Sequence, residues 1–211
     1  VPVSDGGEGM LDCFLAVTGG ECRRVCVHDP MMRRIEAEYA VCDGKAIIES
    51  ARTCGFSLLK KDELNPVRAT SYGLGEMLAS AIKDGCRDFI IGLGGTCTSD
   101  AGIGMLRAMV EKLKPATSFG DLLGGVLCKC HFTLASDVTA PLLGFNGAAH
   151  VFAPQKGADR VMVNIIEERG RRFAEMSARY FGYDRSTTPG AGAAGGLGYA
   201  FLQYMHATTL S

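Results

Sequence analysis

The stretch Ile90-Ile91-Gly92-Leu93-Gly94-Gly95-Thr96-Cys97-Thr98-Ser99-Asp100 is an apolar run that breaks into a glycine- and hydroxyl-rich loop ahead of a helical pattern. That order describes a buried strand feeding a loop whose unspent backbone N–H groups can hold an anion. Gly94 and Gly95 allow close approach of the main chain to a ligand. Thr96, Thr98 and Ser99 add hydroxyl donors, and Asp100 closes the loop either as part of the anion site or as a helix cap. Three further segments share this chemistry: Ser4-Asp5-Gly6-Gly7-Glu8-Gly9, Pro154-Gln155-Lys156-Gly157-Ala158, and Pro189-Gly190-Ala191-Gly192-Ala193-Ala194-Gly195-Gly196. Four such loops in one chain predict a site for a small anionic ligand.

The elements that must position these loops are legible in outline. Met10 to Thr18 has the spacing of an amphipathic helix, closed by Gly19-Gly20. Glu21–Val27 and the alternating Ile35, Ala37, Tyr39 and Val41 read as strands, and Asp43-Gly44 before Ala46-Ile47-Ile48 is a two-residue hairpin signal. A short helix is expected between Glu49 and Gly55, and a longer one from Tyr72 to Asp84 with Leu74, Met77, Leu78, Ala81 and Ile82 on its buried side. Asp88–Gly92 then reads as a strand, Gly102–Leu113 as a helix with Ile103, Leu106 and Met109 inward, and Lys114–Gly125 as a loop or short helix. Strands are expected at Cys130–Ala135, which delivers Asp137, and at Ala148–Phe152. Val161–Tyr180 is the longest helix, with Ile165, Ile166, Phe173 and Met176 inward, and Leu197–His206 is the last. The order implies one layered, mixed α/β domain with glycine-rich loops at strand ends.

Composition narrows the function. Twenty-two basic residues against 23 acidic ones give a formal net charge of −1, which lacks the basic excess of a nucleic-acid binder. Twenty-eight glycines in 211 residues are about twice the usual share. Nine cysteines, without paired metal-type spacing, read as reduced and mostly buried thiols of a cytoplasmic protein. There is no apolar segment near the length of a membrane span and no signal-peptide pattern. Opening on Val1-Pro2-Val3 without an initiator Met, the chain reads as a fragment of a longer protein. A nicotinamide site is disfavoured, because Gly92-Leu93-Gly94-Gly95 lacks the G-x-G-x-x-G spacing.

The four loops, in this order, resemble the bacterial type 1 glycerate kinases, in which ATP phosphorylates D-glycerate. The matching blocks are the first loop; Ile47-Ile48-Glu49; Arg68-Ala69-Thr70-Ser71-Tyr72-Gly73-Leu74-Gly75-Glu76; Gly92 to Asp100; Asp137 with Pro141-Leu142-Leu143-Gly144; Phe152 to Ala158; and Pro189 to Gly198. Departures are Thr96 and Ser99 for the usual Ser and Asn, Ala101 and Ala153 for Gly, and Thr139-Ala140 after the aspartate. The family's N-terminal and C-terminal segments, which build an outer α/β domain, have no counterpart here. Residues 1–211 therefore resemble mainly the inserted second domain.

What the resemblance implies is phosphorylation of D-glycerate to 2-phosphoglycerate with ATP and Mg²⁺. Phosphoryl transfer needs positioning and charge neutralisation above all. Asp5, Glu8 and Asp137 are then candidates for Mg²⁺ coordination or for orienting a glycerate hydroxyl, with capping and turn stabilisation as the competing role. Asp5, Asp137 and Lys156 form the catalytic set. Lys156, beside Gln155, would reach a phosphate or carboxylate unless it is a surface lysine. Arg68, with Ser71, would bind a carboxylate in a forked geometry unless it makes a structural ion pair. Gly6, Gly7, Gly94, Gly95, Thr96, Thr98 and Asp100 would line the phosphate and substrate loops. Gly190, Gly192 and Gly195 would offer amides, or else serve close backbone packing. Glu49 and Glu76 read as helix-surface or capping groups. The partner is a small molecule, homo-oligomerisation is left open, and the 211-residue piece is expected to lack part of the site. The other reading is a non-catalytic domain that binds a small hydroxy acid.

Overall fold

The computed structural model describes residues 9–210, so Asp5, Gly6, Gly7 and Glu8 of the first loop lie outside the described residues. Asp43 and Gly44 both take positive φ, 50° and 76°. This is the turn geometry that suits the twist of a tight hairpin, and it joins β2 (Arg34–Cys42) to β3 (Lys45–Glu49). β1 (Glu21–His28) pairs antiparallel with β2. Beyond β3 the sheet becomes parallel, through β4 (Asp88–Gly92), β5 (His131–Ala135) and β6 (Thr208–Thr209), in the order β1-β2-β3-β4-β5-β6.

Period-two alternation divides the strands between two faces. Ala46, Ile48, Phe89, Ile91, Phe132 and Leu134 join the main core, with Phe89 stacked on Phe132 at 4.8 Å. Ile47, Ile90 and Ala135 face the other way, where α1 (Met10–Thr18) covers them with Met10, Leu11 and Phe14. The connections carry α2 (Ala51–Cys54), α3 (Tyr72–Lys83), α4 (Ile103–Lys112), α5 (Phe119–Gly124), α6 (Ala148–Phe152), α7 (Arg160–Phe181) and α8 (Ala193–Tyr204). This is the layered mixed α/β architecture that the order of elements implies.

Several local expectations need correction. Ala148–Phe152 is a helix, not a strand. Five apolar residues are too few for periodicity to decide, and the small, helix-favouring Ala148 and Ala149 bury against neighbouring helices. In α7 the buried face is Val163, Ile166, Gly170, Phe173, Ala174 and Ser177; Ile165 and Met176 project outward, as does Ile103 in α4. Cys22, Cys26 and Cys128 are exposed. The two-residue β6 had no periodic signal to betray it. Among the described residues no helix is long and apolar enough to cross a membrane.

α3 and α4 cross at close range because α3 carries Gly75. A Cβ there would stand 2.2 Å from the Met105 carbonyl oxygen and 2.8 Å from the Ala108 Cβ. Gly75→Ala is expected to destabilise the fold by about 1–3 kcal/mol through overpacking. Gly124→Ala, where a Cβ meets nothing within 4 Å, is expected to be neutral or mildly stabilising. Urea midpoints of the two variants check this contrast.

Candidate functional site

Because β3, β4 and β5 are parallel and in register, Glu49, Gly92 and Ala135 end at one edge of the sheet. The carboxyl edge is where open α/β sheets hold ligands. The loop after β4 is pinned from both sides: Leu93 N donates to Ala135 O at 3.0 Å, Phe56 N to Gly95 O at 3.1 Å, and Cys97 N to Cys54 O at 2.8 Å. Gly94, Gly95, Thr96, Gln155 and Lys156 converge on one cavity of 340 Å³, closed by Phe56, Leu93, Val138, Phe152 and Ala194. The amides of Gly94 and Gly95 donate to no group among the described residues, and Gly95 is exposed.

Lys156 is the one charged residue lining this cavity among the described residues. It ends the 3-10 turn Pro154–Lys156 that follows α6 and is 2% exposed. Its Nζ donates to Thr98 O at 2.6 Å and lies 3.5 Å from Thr96 Oγ1. Burial pushes its pKa down to about 8, against the opposing fields of Cys97, Cys54 and Asp100. Burial likewise pushes the thiols of Cys54 and Cys97 up, to about 12 and about 11, so they stay protonated and neutral at pH 7. No carboxylate among the described residues pairs with Lys156. A buried ammonium without a counter-charge costs several kcal/mol, on the order of a broken buried ion pair; an anion in the cavity would offset it.

The other expected site residues divide. Asp100 is a structural hub: its carboxylate accepts from Ser71 N (2.8 Å), Ser71 Oγ (2.9 Å), Gly102 N (3.1 Å), Gly104 N (3.1 Å) and Thr70 Oγ1 (3.4 Å). Ser71 is fully spent, since its Oγ also accepts from Met105 N at 3.0 Å; it fixes the starts of α3 and α4 instead of contacting a ligand. Thr98 reaches the site through its carbonyl, while its Oγ1 is buried without a partner among the described residues. Gly192 donates to Ala140 O at 2.8 Å, and a Cβ on it would meet Pro141 O at 2.3 Å. Gly195, at φ 69°, leaves no room for a side chain because Thr98 O lies 2.0 Å from its Cβ position. Gly190 is buried at φ 88°, and its carbonyl accepts from Ala193 N at 3.0 Å. The last glycine cluster thus works mainly by close packing, clamping the Thr98–Ala101 loop, where Ala101 N donates to Gly195 O at 3.1 Å. Asp137 is exposed, next to the cavity-lining Val138. Arg68 is exposed and lies away from Lys156, on a second cleft with Thr70 and Asp100.

Glu49 and Glu76 are buried, not surface groups. Glu49 Oε1 accepts from Gly9 N, and its Oε2 from Arg52 Nε at 3.1 Å. Glu76 accepts from His28 N at 2.8 Å and pairs with Lys112 at 2.9 Å. Both are tied to groups distant in sequence, which spacing along one helix does not reveal.

A profile described as the glycerate kinase family matches residues 1–118 and 121–211. The chain belongs to the glycerate kinase family. It is 36% identical over 98% of its length to the glycerate 2-kinase of Escherichia coli K12, covering 59% of that protein. It is 34% identical to the glycerate kinase of Bacillus subtilis 168, again over 98% of this chain and 59% of the relative. The crystal structure of the "putative glycerate kinase 2" of Salmonella typhimurium LT2 superposes with a TM-score of 0.88 at 33% identity, covering 99% of this chain and 61% of that one. The chain therefore spans about three fifths of the length of these family members. Ala101, which departs from the family's usual Gly, sits at φ 53°, a conformation that costs a non-glycine residue about 1–2 kcal/mol.

Lys156 has a pH signature. Its folded pKa lies below its unfolded one, so between about pH 8 and 10.5 the unfolded chain holds a proton that the folded chain has released. The stability due to this side chain therefore rises with pH through that window and is flat below it. Relative to Lys156→Met, the native chain is expected to gain about 2–4 kcal/mol between those limits. Urea unfolding of both chains at a series of pH values reads this as a closing gap; a gap independent of pH contradicts it.

Proposed function

We propose that this chain carries the substrate-side part of an ATP-dependent glycerate kinase, forming 2-phosphoglycerate from D-glycerate. The observation that carries the reading is a buried lysine that has no carboxylate partner among the described residues and lines a small cavity together with Gly94 and Gly95, whose amides are unspent among the same residues. Its family membership supplies the substrate class. In this reading residues 1–211 correspond mainly to the inserted domain, and the remaining two fifths of a full-length relative supply the rest of the site.

The reaction joins a glycerate hydroxyl oxygen to the γ-phosphorus of ATP and releases ADP, with the hydroxyl proton leaving to base or water. The ammonium of Lys156 and the amides of Gly94 and Gly95 would hold anionic oxygens of the phosphoryl group or of the glycerate carboxylate. Thr96 Oγ1 would add a hydrogen bond, and exposed Gln155 would contact the same ligand at the cavity mouth. Asp137, with Asp5 and Glu8, would orient the hydroxyl or meet Mg²⁺. Among the described residues no group of three His, Cys, Asp or Glu side chains forms a metal cage. Mg²⁺ at phosphoryl-transfer sites enters on the nucleotide phosphates and takes one or two carboxylates from the protein. Bound there, it would supply charge neutralisation at the transferring phosphoryl group.

A cytoplasmic enzyme is the natural setting for nine thiols without a disulfide among the described residues. One observation favours the binding-domain reading instead: among the described residues no carboxylate lines the cavity, and Asp137 is exposed beside its wall, next to Val138.

The discriminating assay is D-glycerate-dependent ATP consumption with Mg²⁺, by the full gene product and by the 211-residue chain. The long form is expected to turn over, Lys156→Ala to lose at least about a hundredfold in kcat/KM, and Asp137→Asn to lose less. Glycerate binding without turnover in either form would leave the binding-domain reading.

A further inference from the structure

α7 carries apolar residues on two sides, and the fold buries one of them. Val163, Ile166, Gly170, Phe173, Ala174 and Ser177 pack into the domain. Away from that side, Val161, Ile165, Met176 and Tyr180 are between 39% and 67% exposed. Single exposed apolar residues are ordinary on a protein surface. These four are placed otherwise: together with Glu168 and Arg172 they recur every three or four residues, the spacing that forms one continuous stripe along a helix. The stripe is edged by the exposed polar residues Asn164, Glu175 and Arg179. Of the ten large apolar side chains exposed among the described residues, four belong to it. Phe145, the most exposed of the ten at 88%, stands beside its N-terminal end with Arg160 and Asn164. A contiguous apolar patch rimmed by polar groups is the signature of a protein–protein contact.

The order of residues in the stripe points to its occupant. From either end it runs in the same way, with Val161 or Tyr180 first, Ile165 or Met176 next, and Glu168 or Arg172 last, meeting at the level of Gly170. Turned end for end about a two-fold axis at that level, the stripe meets itself with Ile165 opposite Met176 and Glu168 opposite Arg172. That is the self-complementarity an isologous contact requires. Within one copy Glu168 accepts from Arg172 Nε at 2.7 Å, and both side chains are at least half exposed. Two such pairs brought together at the axis alternate in sign, so every charge faces an opposite one. Val161, Ile165 and Arg169 form one ridge of the helix and Asn164, Glu168 and Arg172 the next, and a groove of 430 Å³ lies between them. Helices pack by setting a ridge of one into such a groove of the other. Met176 of a second copy, unbranched and adaptable, suits it.

We propose that two copies of this chain associate through this stripe, α7 of one antiparallel to α7 of the other. A uniformly acidic or basic partner would meet a like charge beside each match, Arg172 or Glu168. An anionic membrane surface would meet Glu168 and Glu175, whereas helices that lie on membranes carry Lys and Arg on their polar side. The inference goes beyond the kinase reading and holds whatever chemistry the Lys156 cavity performs. A 22-residue helix is about 33 Å long, so the contact falls at the small end of protein interfaces and the association is reversible.

The test is sedimentation equilibrium of the full gene product over a concentration series reaching hundreds of micromolar, with Ile165→Glu, Glu168→Arg and Arg172→Glu as variants. The native protein is expected to form dimers in a concentration-dependent way, and Ile165→Glu to remain monomeric. Each charge variant is expected to weaken association by about tenfold or more, because like charges then meet twice, once on either side of the axis. Mixed in equal amounts, the two charge variants are expected to associate with each other, since every charge of one then faces the opposite sign in the other. Ile103→Glu, at an exposed apolar position on α4, should change nothing, and circular dichroism of each variant reports folding. A native protein that stays monomeric throughout would overturn the proposal and assign the stripe to another partner or to the rest of the gene product. A dimer that the charge variants leave unaltered, or one that mixing them does not recover, would overturn it equally.

Discussion

The arrangement at the sheet edge is governed by one buried cation. An ammonium removed from water must find oxygen atoms, and Lys156 finds the Thr98 carbonyl at 2.6 Å and Thr96 Oγ1 at 3.5 Å. Both belong to the loop after β4, so the lysine ties the turn that follows α6 to the central strand of the parallel sheet. These neutral oxygens accept its hydrogen bonds without balancing its charge, no carboxylate among the described residues pairs with it, and the neighbouring thiols stay neutral. The residual positive charge is the property on which the proposed anion site in this 340 Å³ cavity rests.

The surrounding structure holds the lysine's partners still. Gly195 clamps the loop because Thr98 O occupies the space a side chain would need. Asp100 gathers donors from Thr70, Ser71, Gly102 and Gly104, joining the starts of α3 and α4 in one network. Gly75 permits those helices to cross closely enough for the network to close. The same loop faces two spaces, one small and cationic, the other broad, partly apolar and edged with guanidinium groups.

Much of this was legible in the sequence, for identifiable reasons. Strand-length apolar runs, the Asp43-Gly44 turn and the helical spacing of α3 gave correct elements because local pattern and burial agree there. The glycine-rich loop after β4 falls at the carboxyl edge of the parallel strands, where backbone freedom and short side chains leave room for a cavity. Local spacing could not tell which groups were already spent. Asp100 and Ser71 resemble ligand contacts until each is seen bonded to the other, and the glycines after Pro189 resemble an anion nest until their neighbours are seen pressed against them. Ala148–Phe152 failed because five apolar residues fit a strand and a buried helix equally well.

The measurement closest to the central claim is an NMR titration of the Lys156 side chain, read at ¹³Cε in lysine-labelled chain and assigned with Lys156→Arg. A midpoint near 8 in the free protein, as burial dictates, rising by about one unit or more when inorganic phosphate or D-glycerate is added, would establish a buried ammonium that anions stabilise. A midpoint near the ordinary lysine value of 10.5, unmoved by either anion, would contradict the account.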